Sequence, residues 1–123
     1  MNATAWPELA DMLSGGLKHL RGGAGDVMKG FAAIAQAALK PGALDGKTKE
    51  LIAPAISVAM RCDDCIAFHA KAAVERGATR EESLETLGMA IYMGAAPSVM
   101  YARHALGAAT RFAEAKAEAA VSA

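Results

Sequence analysis

Apolar residues recur along this chain at three- and four-residue intervals, and glycine or proline cuts the pattern into helix-length pieces. A first amphipathic piece runs from about Trp6 to Leu20, is weakened by Gly15 and Gly16, and ends at Gly22-Gly23. A second, Asp26 to Leu39, has Asp26 as its expected N-cap and places Val27, Phe31, Ile34, Ala35 and Ala38 on one face before Pro41-Gly42 stops it. The third begins near Asp45 or Gly46 and carries a broad stripe of Leu51, Ile52, Ala55, Ile56, Ala59 and Met60 up to the first cysteine. Pro54 lies inside it and cannot donate to the carbonyl of Glu50, so a kink or local break is expected beside that acidic residue.

The fourth helix opens around Cys62 to Asp64 and closes at Gly77, a residue suited to the position after a helix end. Thr79-Arg80-Glu81-Glu82 reads as a capping box, which starts a fifth helix through Leu84, Leu87, Ile91 and Met93. Pro97 fits the first turn of a sixth, carrying Val99, Met100, Ala102, Ala105, Leu106 and Phe112, whose polar, alanine-rich end from Glu114 to Ala123 is expected to fray. The expected fold is all-α: one domain over residues 1–123, built as a bundle of five or six short helices.

Composition agrees with that class. The 123 residues are 54% hydrophobic but only 5% aromatic, which favours close-packed helices over sheet. Lys plus Arg and Asp plus Glu number 13 each, so no net field draws in nucleic acid or an anionic membrane, and neither is an expected partner. The apolar run Leu51 to Met60 is about half of what a membrane span needs, and Glu8 and Asp11 stand where a secretion signal would be basic then apolar. A cytoplasmic protein is expected. Wide stripes on the third to sixth helices, with Met60, Met89, Met93 and Met100 as pliable surface, suggest burial between subunits.

The chemistry is concentrated in eight positions. Cys62 and Cys65, the only cysteines, stand three apart and four residues ahead of His69. On a helix these three residues share one stripe. If the third and fourth helices form an antiparallel hairpin turning near Met60 and Arg61, Glu50 and His69 lie about two and a half turns from that bend and level with each other. Carboxylate, imidazole and dithiol then form a candidate proton path. A thiol attacks as thiolate, a helix N-terminus favours the thiolate, and His69 can take its proton while Glu50 orients the ring. Asp63 and Asp64 act against this, because carboxylates beside the sulfurs favour the thiol.

Lys49-Glu50-Leu51-Ile52, the step of twelve from Glu50 to Cys62, and Cys62-x-x-Cys65-x-x-x-His69 together resemble the core of the AhpD-like alkylhydroperoxidases of the carboxymuconolactone decarboxylase family. The likeness covers about residues 27–110 and extends through Gly77-Ala78-Thr79-x-x-Glu82. It implies a helical hairpin carrying the cysteines, assembly into trimers or hexamers, and thiol-dependent reduction of hydroperoxides with electrons from an external dithiol such as a lipoyl-bearing protein. By matching positions, Glu50 and His69 would be the proton relay, Cys65 the peroxide-reactive thiol and Cys62 its disulfide partner. Asp64 departs from the pattern, since the well-studied peroxidase has histidine before the second cysteine.

Other readings stand beside this one. The cysteines could be small buried hydrophobes or an incidental disulfide, and Glu50, in a charged turn, a solvated residue. Cys62, Cys65, His69 and Glu50 could bind zinc, although helical spacing suits a tetrahedral ion poorly. A non-redox role in the same fold, a lactone decarboxylase or an assembly subunit, is disfavoured by the cysteine motif. No cofactor is expected, and Gly22-Gly23-Ala24-Gly25 lacks the preceding strand of a phosphate-binding loop. His19 and His104 have no cysteine or acidic pair at useful spacing.

Overall fold

The computed structural model describes residues 5–122, in which helices follow one another through short turns: α1 (Trp6–Gly23), α2 (Gly25–Leu39), α3 (Gly46–Met60), α4 (Asp63–Glu75) and α5 (Arg80–Ser122). α5 consists of two rods, because Ala95 leaves helical geometry within it (φ 57°, ψ −147°). The break has a local cause: Pro97 has no amide hydrogen to donate, and its ring would press on the carbonyl of Met93. The expected sixth helix is therefore the second rod of α5, which stays helical to Ser122.

α3, α4 and α5 pack against one another, and α1 lies across α4 and α5. The core is rich in small side chains, with Ala67, Ala70, Ala105 and Ala108 letting the rods approach closely around Val58, Ile66, Leu87 and Phe112. Trp6, wholly buried at the start of α1, anchors that helix in the core. Its ring meets the edge of His104, which stacks on Tyr101.

Two caps hold helix starts, one of them the predicted capping box. Asp45 accepts from the Thr48 amide at 2.7 Å at the start of α3. At the start of α5 the Glu82 amide donates to Thr79 Oγ1 (3.1 Å) and the Thr79 amide to Glu82 Oε1 (2.9 Å), a complete capping box. Lys47 Nζ reaches Glu82 Oε2 at 2.9 Å and links the two helix starts.

Two expectations, the Asp26 cap and the break at Pro54, are corrected, and the apolar stripes of α2 and α3 lie open in this chain. Asp26 lies in the first turn of α2, whose N-cap is Ala24 without a side-chain bond. The apolar face of α2 is largely uncovered in this chain: Val27, Phe31 and Ile34 are 73%, 62% and 65% exposed. On α3 the expected stripe is largely open, with Ile52, Ile56 and Met60 exposed, while Glu50, Pro54, Ser57 and Val58 face inward. α3 also runs unbroken through Pro54, which forfeits one hydrogen bond while the cap at Asp45 and packing on α4 and α5 hold both ends.

Ala95 occupies a region of backbone space that only glycine enters without cost. Ala95→Gly is therefore expected to raise the urea unfolding free energy by about 1 kcal/mol. Acid provides a second check. Glu82 is held below its ordinary value of 4.5, first by the Lys47 hydrogen bond and then by the Thr79 amide. A carboxylate so held stabilises the fold above its unfolded value and loses that contribution as the pH falls through the folded one. Glu82→Gln should flatten the decline in melting temperature below about pH 4.5.

Candidate dithiol site

Only Arg61 and Cys62 separate the end of α3 from the start of α4. Arg61 adopts the left-handed conformation (φ 58°, ψ 44°), its amide donates to the Val58 carbonyl at 3.2 Å, and the Cys62 amide donates to the Ser57 carbonyl at 3.0 Å. This pair of bonds is the Schellman closure of a helix end. Cys62 then turns extended (φ −108°, ψ 98°) and serves as N-cap of α4, its Sγ accepting from the Cys65 amide at 3.2 Å. One cysteine thus closes one helix and opens the next, so the hairpin bend is reduced to Arg61-Cys62.

Cys62 and Cys65 are joined in a disulfide with their Cα atoms 5.2 Å apart. One helical turn further on, His69 Nδ1 lies 3.4 Å from Glu50 Oε2. Glu50 is only 2% exposed, while the His69 side chain is 25% exposed and the ring reaches the surface beside the sulfurs. The structure therefore brings all four expected site residues to one hairpin, and Glu50 is the opposite of a solvated turn residue.

A pocket of about 320 Å³ opens over this group, lined by Cys62, Cys65, His69, Ser57 and the apolar side chains of Ala53, Ile56 and Met60. The imidazole and both cysteines share its wall, so a small molecule in it can meet sulfur and ring together. Phe68, half-exposed, stands edge-on to His69 at 5.0 Å between ring centres. Asp64 points to solvent, whereas Asp63 has one carboxylate oxygen out of water without a hydrogen-bond partner.

Sequence reasoning passed over Arg61 and Ser98. Ser98 is wholly buried on α5 and lies 3.4 Å from the Arg61 guanidinium, and only the polar residue just after Pro97 signalled it. Among the described residues no cluster of three or more His, Cys, Asp or Glu side chains is arranged to hold a metal ion, and both sulfurs are already bonded to each other.

An all-α chain whose antiparallel hairpin presents a vicinal disulfide-forming pair next to a His–Glu couple is a recognisable class of dithiol protein. The sequence pattern of the carboxymuconolactone decarboxylase family matches residues 25–108, and the chain belongs to that family. It is similar to a crystal structure of a family protein from Legionella pneumophila, with 50% identity over 88% of this chain and 96% of that one and a TM-score of 0.85. A Thermotoga maritima structure is 36% identical over 74% of this chain and 78% of that one, with a TM-score of 0.69; that family protein is described, in conditional terms, as involved in an antioxidative response. An uncharacterised Cupriavidus necator protein is 44% identical over 64% of this chain and 70% of its own length.

The contact between Glu50 and His69 has a stability signature of its own. His69→Leu should destabilise the fold by about 1–3 kcal/mol, since the inward carboxylate loses its partner. Adding Glu50→Leu should recover most of that loss, as replacing both partners by apolar groups is close to neutral. Urea unfolding of the two single variants and the double variant checks the sign of the coupling.

Proposed function

We propose that the chain is a thiol-dependent peroxidase of the alkylhydroperoxidase type, working through the Cys62/Cys65 dithiol with Glu50 and His69 as proton relay. The observation that carries this reading is the disulfide itself, set one helical turn from an imidazole anchored on a buried carboxylate. Family membership supports it, as does the description of the Thermotoga maritima relative, in conditional terms, as involved in an antioxidative response.

The chemistry runs from the reduced dithiol. His69 takes the proton of the Cys65 thiol, and the thiolate attacks the terminal oxygen of the hydroperoxide. An S–O bond forms, the O–O bond breaks, and the alkoxide leaves as alcohol with the proton from His69. Cys62, whose sulfur sits where the Cys65 amide donates, then attacks the sulfenic sulfur of Cys65. The S–S bond forms, the S–O bond breaks, and hydroxide leaves as water with the proton given up by Cys62. Two thiols are oxidised and one peroxide is reduced by two electrons. Glu50 keeps the Nδ1 side of the imidazole occupied, which leaves the other ring nitrogen for the pocket.

An external dithiol must return two electrons. A lipoyl-bearing protein in the cytoplasm fits that need, because a thiol on a flexible arm can enter a pocket of this size. The exposed faces of α2 and α3 support a homo-oligomer, trimer or hexamer, as the working form. No specific observation favours the zinc or lactone decarboxylase readings.

Thiol counting tests the proposal. The reduced protein should lose both thiols to one equivalent of cumene hydroperoxide as an intramolecular disulfide, and dihydrolipoamide should restore them. Cys65→Ser should abolish peroxide consumption, Cys62→Ser should leave one oxidation event without turnover, and His69→Ala should slow the reaction by about 10²-fold with both thiols present. Peroxide consumption by Cys65→Ser at the parent rate would overturn the assignment.

A further inference from the structure

The residue before the first cysteine is held far more firmly than a bend requires. A helix that ends in the left-handed conformation does so by preference on glycine, because a Cβ there crowds the following carbonyl. Arg61 bears that crowding, and one end of its side chain, Nη1, makes all its polar contacts. Nη1 donates to the carbonyls of Val58 (2.6 Å) and Ala59 (3.0 Å) at the end of α3 and lies 3.4 Å from Ser98 Oγ, while the guanidinium sits 5.4 Å from the centre of the Tyr101 ring. Ser98 is wholly buried, and its hydroxyl fills the space that a Cβ on Gly94 would need. Tyr101 in turn stacks on His104, which meets Trp6. The fork therefore joins the end of α3 to the second rod of α5 directly behind the cysteine bend.

We propose that Arg61 is a positioning residue for Cys62: its guanidinium braces the α3–α4 bend against α5, so that the Cys62 sulfur stays at the head of α4 facing Cys65 in the reduced as well as the oxidised protein. The cation is spent on helix-end carbonyls and an aromatic face, so its part is mechanical. A bend held this way keeps the two thiols pre-paired and raises their effective concentration toward each other, which favours the disulfide. This rests on the redox reading of the pair but makes no use of peroxide.

The test is an equilibrium between the full-length protein and the dithiothreitol couple under native conditions: protein disulfide plus reduced dithiothreitol exchange two electrons and two protons for protein dithiol plus the cyclic disulfide. Labelling of free thiols and mass measurement give the ratio. Arg61→Gly keeps a backbone suited to the bend and removes only the fork. It should shift the equilibrium about tenfold toward the dithiol, which is about 30 mV for a two-electron couple, with the melting temperature of the oxidised form little changed. Arg61→Lys, which keeps the charge and a terminal nitrogen able to donate to the same carbonyls but loses the planar guanidinium over Tyr101, should shift less in the same direction. Leu87→Ala, a core cavity away from the bend, should lower the melting temperature and leave the equilibrium where it was. Arg61→Gly within twofold of the parent would overturn the proposal, as would an equal shift in Leu87→Ala. A parent dithiol that hydroperoxide cannot oxidise would instead sink the peroxidase reading, since no peroxide enters this equilibrium.

Discussion

A carboxylate almost wholly removed from water must find a partner, and Glu50 finds it in His69. That one contact sets how α3 and α4 lie along each other. The bend between them is only Arg61-Cys62, so there is no slack to absorb a different register. Slipping α4 by one residue would swing the imidazole about 100° around the helix and strand Glu50 against apolar neighbours. The sulfurs inherit the same register, because Cys65 stands one turn before His69 and Cys62 caps the helix that carries both. Stability and site geometry here are two aspects of one buried pair.

The surroundings divide into a supported side and an open side. Behind the bend, Trp6, His104, Tyr101 and Arg61 touch in series, so α1 and α5 together back the cysteine turn. On the open side, the apolar surface continues outward from the dithiol pocket through Ile56 into a groove of about 830 Å³ between α3 and α5, lined by Leu51, Ile52, Met89 and Met93 and closed at one end by Arg61 and Ser98. With the uncovered face of α2, this is more apolar surface than an isolated small chain normally leaves in water. The proposed assembly explains why residues with core-like periodicity point outward: their periodicity reports burial without saying which chain provides the cover.

The same reasoning explains what could be read in advance. The capping box at Thr79 and Glu82 transferred well, because it involves neighbours in sequence and needs no tertiary knowledge, whereas Asp45 was expected only near a helix start and its cap emerges from the structure. The meeting of Glu50 with His69 was legible too, since helix period and a short bend fix which residues lie level. The inward face of α3 was not. The stripe of Leu51, Ile52 and Ile56, expected to be covered between subunits, says nothing of the face turned to α4 and α5, where Glu50, Pro54 and Ser57 sit because that face serves the pair and the bend. Asp26 misled for a simpler reason: α1 ends at Gly23 and α2 begins at Gly25, so the turn is too short to set an Asp at its boundary.

Two prolines inside helices meet opposite ends, and the site shows why both are tolerated. In α3, a break at Pro54 would tilt the turn that carries Glu50 away from α4, so the helix gives up one hydrogen bond and stays continuous between two well-made ends. In α5, the strain gathers on Ala95, just ahead of Pro97, and the second rod sets off in a new direction. That direction places Ser98 against the Arg61 fork and Tyr101 beneath its guanidinium. A continuous α5 would carry Ser98 and Tyr101 along the line of the first rod, and the bend that holds Cys62 would lose its backing. The unfavourable backbone at Ala95 and the left-handed backbone at Arg61 are thus connected through one guanidinium, and each is held in place by contacts that the other makes available.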